Sequence, residues 1–151
     1  MYQHILVPTD GTRLSELALN AAIALAAKLG SRLHVLHVVT EYAGDARGVL
    51  PELASSAREA FQQRAVAEAE SILKGAERIA RAHHVAVDGA HVFADDPYRV
   101  IVDRAEAQAC DLIVMASHGR RGLQAMLLGS ETQKVLTHSR VPVLVVRGAA
   151  S

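Results

Sequence analysis

The chain has 151 residues, about the length of one ordinary domain, which argues against a multidomain machine and places both stability and function on one core spanning residues 1–151. Half of the residues are apolar but only 3% are aromatic, so the interior must be built from Ala, Val, Leu and Ile, as in helix-packed sheets. Sixteen Lys plus Arg balance sixteen Asp plus Glu, which removes the basic footprint of non-specific nucleic-acid binding while leaving room for a local anion site.

Ile5-Leu6-Val7 is a continuous apolar run closed by Pro8-Thr9-Asp10-Gly11, the pattern of a strand buried on both faces and then punctuated. The chain enters this run without a basic n-region or a cleavable apolar stretch, so a cytoplasmic location is expected. From Thr12 the apolar spacing becomes helical, with Leu14, Leu17, Ala21, Leu25 and Leu29 as the inward stripe and Gly30 as the stop. The longest apolar stretch in it, Ala21 to Ala27, is far short of a membrane span. Leu33 to Val39 reads as a second strand, and Thr40 to Glu52 as a long surface loop.

Phe61, Ala65, Ala69, Ile72, Ala76 and Ile79 mark one stripe of a long helix, closed by His83-His84, where a cation favours the C-terminus. Val85 to Ala94 predicts a third strand, interrupted by Asp88-Gly89. Asp96-Pro97 predicts a helix start with Asp as N-cap, and Ile101, Val102, Ala105 and Ala109 form the buried face. Cys110, the single cysteine, reads as small buried filler and gives no sign of an oxidising compartment. Leu112 to Met115 is a fourth strand, followed by a Gly-punctuated segment with a short helix expected over Leu123 to Leu128. Ser130-Glu131-Thr132-Gln133 has the form of a capping box opening a final helix, with Val135 and Leu136 inward. Val141 to Val146 is the last strand. Strands this apolar, alternating with helices, predict an α/β fold with a five-stranded parallel sheet covered on both faces. In such a sheet ligands bind at the carboxyl ends of the strands, beside a topological switch point.

The segment after the fourth strand therefore holds the strongest candidate chemistry. Ala116-Ser117-His118-Gly119 is followed, after nine intervening residues, by Gly129-Ser130. A glycine-rich loop leading into a helix N-terminus gathers amide donors and the positive end of the helix dipole, which suits phosphate. The same residues also suit a plain junction in which Gly129 ends one helix and Ser130 caps the next. Arg120 and Arg121 could add charge or simply be solvated. No Walker loop is present, since Lys134 lies inside the helix without a Gly-Lys-Ser/Thr context. Asp10 has two readings, a ligand contact or a helix cap. His34 and His37 point to opposite faces of their strand and are no chelating pair, and no catalytic Ser-His-Asp or metal-ligand cluster stands out.

Ile5-Leu-Val-Pro-Thr-Asp-Gly11, the strand with His37-Val38, the run from Met115-Ala-Ser-His-Gly to Leu128-Gly-Ser, and Pro142-Val-Leu-Val-Val-Arg147 together resemble the universal stress protein family, in its adenine-nucleotide-binding branch, over essentially the whole chain. The resemblance implies a three-layer Rossmann-like sheet of the adenine nucleotide alpha hydrolase type, with ATP across the ends of strands one, two and four. It implies that Pro8, Thr9 and Asp10 line the nucleoside side and that the Val38 backbone reads the adenine edge. The family signature G-x2-G-x9-G-[S/T] falls on Ala116, Gly119, Gly129 and Ser130, and the site is completed by Met115, His118, Arg120, Glu131 and Thr132. Ala116 departs from the signature glycine; if that position needs a left-handed backbone, the change costs about 1 kcal/mol or more. A Mg ion shared between Asp10 and phosphate oxygens would suit the chemistry, although no dedicated metal motif accompanies it.

The expected function is thus a cytoplasmic ATP-binding stress-response module, with at most weak ATP hydrolysis because no residue is assigned to activate water. The alternatives are a nucleotide-free dimeric interaction module of the same fold and a slow ATP hydrolase. A homodimer through Val141 to Val146 is expected because an apolar strand at the sheet edge invites another strand, as the resemblance also suggests.

Overall fold

The computed structural model describes residues 1–40, 50–119 and 128–148. The elements run β1 (His4–Thr9), α1 (Arg13–Leu29), β2 (Arg32–Val39), α2 (Pro51–Ala82), β3 (Val87–Phe93), α3 (Pro97–Ala107), β4 (Leu112–Ala116), α4 (Ser130–His138) and β5 (Val143–Val146). They build a five-stranded sheet in the order β3-β2-β1-β4-β5, every pairing being parallel. The chain winds outward from β1 to β3, then returns to the other side of β1 for β4 and β5. The order reverses between β1 and β4, and the carboxyl ends of those strands form the crevice expected for a ligand.

Period-two alternation divides the core. Ile5, Val7, Leu33, Val35, Leu112 and Val114 face α1 and α2, whereas Leu6, Leu36, Ile113 and Met115 face Ile101 and Ala105 of α3 and Val135 of α4. Helices thus cover both faces. They present small residues to the sheet: Ala18, Ala22 and Ala26 on α1, and Ala65, Ala69, Ala76 and Ala80 on α2. This explains how so few aromatics fill the interior. Gly89 serves the same close approach, since a Cβ there would lie 3.1 Å from both Leu73 Cδ2 and the Val35 carbonyl.

Several expectations need correcting. The inward stripe of α1 is rotated from the leucine series, with Leu17 and Leu29 exposed, because the alanine face lets the helix sit closer to the sheet. Helix α2 starts at Pro51, inside the stretch read as loop. Its first turns are largely exposed, so they carry no apolar period, while Pro51 at the first helical position sets the entry. Residues 41–49 of that stretch lie outside the described residues.

Strand β3 is shorter than predicted at both ends, and Asp88-Gly89 lies within its ladder rather than breaking it. Ala109 lies past α3 in a left-handed turn at φ 50° and faces solvent. Leu136 is 42% exposed, leaving Val135 as the buried residue of the pair. Strand β5 begins at Val143, because Ser139 ties back the Val141 amide and Pro142 cannot donate to a ladder. Asp96 is the N-cap of α3 by position but makes no side-chain capping bond. Gly30 ends α1 as expected, left-handed at φ 71°. The helix expected over Leu123 to Leu128 falls on residues outside the description except for Leu128.

Candidate functional site

The end of β1 is organised by short polar bonds. Asp10 Oδ1 accepts from the Thr12 amide at 3.0 Å and from Thr12 Oγ1 at 2.6 Å. Thr12 caps α1 by accepting from the Ser15 amide. Asp10 is therefore not the cap itself but the group that holds the cap. Gly11 turns the chain at φ 77°, a left-handed value that suits glycine, and Thr9 Oγ1 meets Ser15 Oγ at 3.1 Å. From β2, His37 Nδ1 donates to the Thr9 carbonyl at 2.8 Å. A carbonyl can only accept, so the bond places a proton on Nδ1 and fixes the ring orientation.

The end of β4 is tied to α4. Thr132 Oγ1 donates to the Ala116 carbonyl at 2.9 Å, and the Gly129 amide donates to the Ser117 carbonyl at 2.7 Å. A Cβ on Gly129 would come within 3.2 Å of His118 Cα and the Ser117 carbonyl, with the Gly119 amide nitrogen at 3.8 Å. The two glycine segments therefore touch. Gly119 also lies against β1, since its Cβ would stand 3.0 Å from Asp10 Oδ2.

Two expectations change here. Ala116 is a buried residue of β4 paired with Val146 and is not among the residues with left-handed backbone, so alanine carries no conformational penalty at that position. The N-cap of α4 is Gly129, extended at φ −68° and ψ 156°, and no side chain caps the helix. Ser130 is instead its exposed first residue, and the amides of Ser130, Glu131 and Thr132 have no intrahelical acceptor, as at any helix start.

These ends border a cleft of about 840 Å³, within the range of small-molecule sites. Of the residues singled out in the sequence, it is lined by Pro8, Thr9 and Asp10 after β1, Val38 of β2, Met115, Ala116, His118 and Gly119 after β4, and Gly129, Ser130, Glu131 and Thr132 of α4. Arg120 lies outside the described residues. Sequence reasoning missed the far wall, Phe61, Arg64, Ala65 and Glu68 of α2, and also Asp95, Pro97, Ile101 and Lys134. In the sequence Phe61 and Ala65 read only as a core stripe, and Lys134 lacks a Walker context.

The cleft lining combines apolar side chains such as Leu36, Ile101 and Met115 with both signs of charge, Asp10, Glu68, Asp95 and Glu131 against Arg64 and Lys134. Glu131 is engaged at both oxygens, Oε2 accepting from the Tyr98 amide at 2.8 Å and Oε1 from Lys134 Nζ at 3.1 Å. No group of three His, Cys, Asp or Glu among the described residues is placed to hold a metal ion. A Mg ion here would depend on ligand oxygens, with the Asp10 carboxylate lying beside the loop after β4. Cys110 lies away from the cleft beneath α3, and burial pushes its thiol up to about 11, which makes it inert packing. Among the described residues no helix is long and apolar enough to cross a membrane.

A model of the universal stress protein family matches residues 1–147. Universal stress protein MJ0577 of Methanocaldococcus jannaschii is 30% identical, the match covering 97% of this chain and 96% of that protein. The solved structure of MJ0577 has a TM-score of 0.84 and covers 100% of this chain and 99% of that one, at 30% identity. Universal stress protein YxiE of Bacillus subtilis is 31% identical over 97% of this chain and its own full length. A solved universal stress protein from Archaeoglobus fulgidus, in complex with dAMP, shares the fold at a TM-score of 0.66 and 23% identity, covering 95% of this chain and 97% of that one. With the family model spanning nearly every residue and the fold superposing from end to end, this chain belongs to the universal stress protein family.

Proposed function

We propose that this chain is a cytoplasmic ATP-binding stress-response module, in which nucleotide occupancy alters the surface offered to partners. The observation that carries the reading is the contact between the Gly119 and Gly129 segments at the start of α4, where side-chain-free backbone borders an open cleft. Donor amides at a helix N-terminus, approached through glycine, are the chemistry that receives phosphate. The nucleoside would lie toward β1 and β2, with the Val38 backbone reading the adenine edge and Asp10 beside the ribose. Adenine nucleotide is also the ligand of the Archaeoglobus protein; that protein shares the fold, and for this chain the reading rests on its own cleft. Mg would enter with the phosphates and meet Asp10.

Binding is the primary activity in this reading. His118 Nδ1 is engaged with Ser117 Oγ at 3.0 Å, and no base is assigned to activate water, so turnover is at most weak. Ala116 sits in the ordinary extended backbone of β4, which favours this reading over a nucleotide-free module of the same fold. Pairing of two copies through β5, an edge strand, belongs to the same proposal. Equilibrium calorimetry of nucleotide-stripped protein tests it: a saturable heat with ATP supports the reading, and no saturable signal overturns it.

A further inference from the structure

We infer that Lys134 reads the number of phosphates on the bound nucleotide, exchanging its resting partner Glu131 for the terminal phosphate. The inference rests on the nucleotide reading above. Lys134 lies one turn into α4 and lines the cleft. Side chains on a helix lean toward its N-terminus, so the ammonium reaches back over the first turn, where the phosphate-facing amides begin. Its observed position agrees: Nζ is 3.1 Å from Oε1 of Glu131, three residues upstream, and 5.3 Å from the centre of the Tyr98 ring.

This resting site is loose. The Lys134 and Glu131 side chains are 46% and 37% exposed, so the ion pair is worth little in water and a flexible ammonium can leave it. Glu131 is not left unpaired when that happens, because its other oxygen accepts from the Tyr98 amide at the start of α3. A triphosphate whose inner groups met the α4 amides would extend further than a monophosphate and offer Lys134 a denser anion than one carboxylate. A monophosphate, being shorter, leaves Lys134 on Glu131. The carboxylate of Glu131 opposes any phosphate nearby, and Lys134, its partner at 3.1 Å, is a cation placed to offset it.

The experiment is calorimetric titration of nucleotide-stripped protein with ATP, ADP and AMP, read as the ratio of ATP to AMP affinity. Lys134→Gln should lower that ratio about tenfold, the size of one charge-assisted hydrogen bond, and Glu131→Gln should raise it. Lys74→Gln, the same charge change at an exposed position on α2, should leave the ratio as in the parent chain. An unchanged ratio in Lys134→Gln, or an equal loss for all three nucleotides, overturns the role of Lys134 while leaving nucleotide binding intact. If the parent chain binds none of the three, the nucleotide reading itself fails and takes this one with it.

Discussion

Asp10 Oδ2 lies 3.0 Å from where a Cβ on Gly119 would stand, so the loops after β1 and β4 meet across the switch point of the sheet. Asp10 is already fixed by two bonds from Thr12, which leaves its carboxylate little freedom to withdraw. Gly119→Ala should therefore push the loop after β4 away from the fixed Asp10 and weaken ATP binding about tenfold, roughly 1.4 kcal/mol, with a smaller effect on stability. Calorimetry and thermal melting of the variant check both halves, and unchanged affinity would show that this contact is not part of the site.

Gly129 differs because its close neighbours are backbone atoms, His118 Cα and the Ser117 carbonyl, each 3.2 Å from the added Cβ. Backbone cannot rotate aside as a side chain can. Gly129→Ala should lower unfolding stability by about 1–3 kcal/mol, the usual cost of overpacking, and also open the turn that brings α4 to β4. Chemical denaturation would show the loss as a lower midpoint; a midpoint equal to that of the parent chain would contradict the packing argument.

At the opposite end of the sheet, His4 is buried with Nδ1 on the Gln108 carbonyl at 2.9 Å, and its Nε2 has no hydrogen-bond partner. Burial holds its pKa below the ordinary 6.5, and Arg32 on β2 lowers it further. The Gln108 carbonyl and Asp88 on β3 raise it in part, and His34 on β2 lowers it slightly. A lowered histidine takes up its proton more readily in the unfolded chain, so the stability it contributes is present above pH 6.5 and is lost as the pH falls below that value. Melting temperature should drop between pH 7 and 5. In His4→Asn, whose amide can still donate to Gln108, that drop should be shallower. A slope identical to the parent's would assign the acid sensitivity elsewhere.

Strand β5 closes one edge of the sheet, and Leu144 on it is 44% exposed. Under the pairing proposed above, Leu144→Lys should shift the chain toward monomer in light scattering without disturbing the β4 ladder, because a charge on an edge strand discourages further pairing. A parent chain that is already monomeric, or a variant that stays dimeric, would remove β5 from the interface.

Much of the fold could be read from residue order because buried parallel strands and alanine-lined helices leave strong periodic signals. What escaped reading did so for local reasons. The first turns of α2 are solvated and have no apolar period. The buried face of α1 is Ala18, Leu19, Ala22, Ile23 and Ala26 rather than the stripe through Leu17 and Leu29, because its three alanines let the helix approach the sheet closely. At α4 the cap moved by one residue, since Gly129 takes the extended conformation a cap needs and frees Ser130 to face the cleft. The loops after β1 and β4 were identified from their glycines and from Asp10. The α2 wall was not, because Phe61 and Ala65 look like core from the sequence, and only the three-dimensional arrangement turns them toward the same hollow.

In the proposed complex the amides beside Gly119 and at the start of α4 receive the phosphates. Titrating ATP into isotopically labelled protein and following each backbone amide by NMR tests this most directly. The largest shifts should fall on Gly119, Ser130, Glu131 and Thr132, and they should shrink when adenosine replaces ATP. Saturable ATP binding that leaves these four amides unmoved would contradict it.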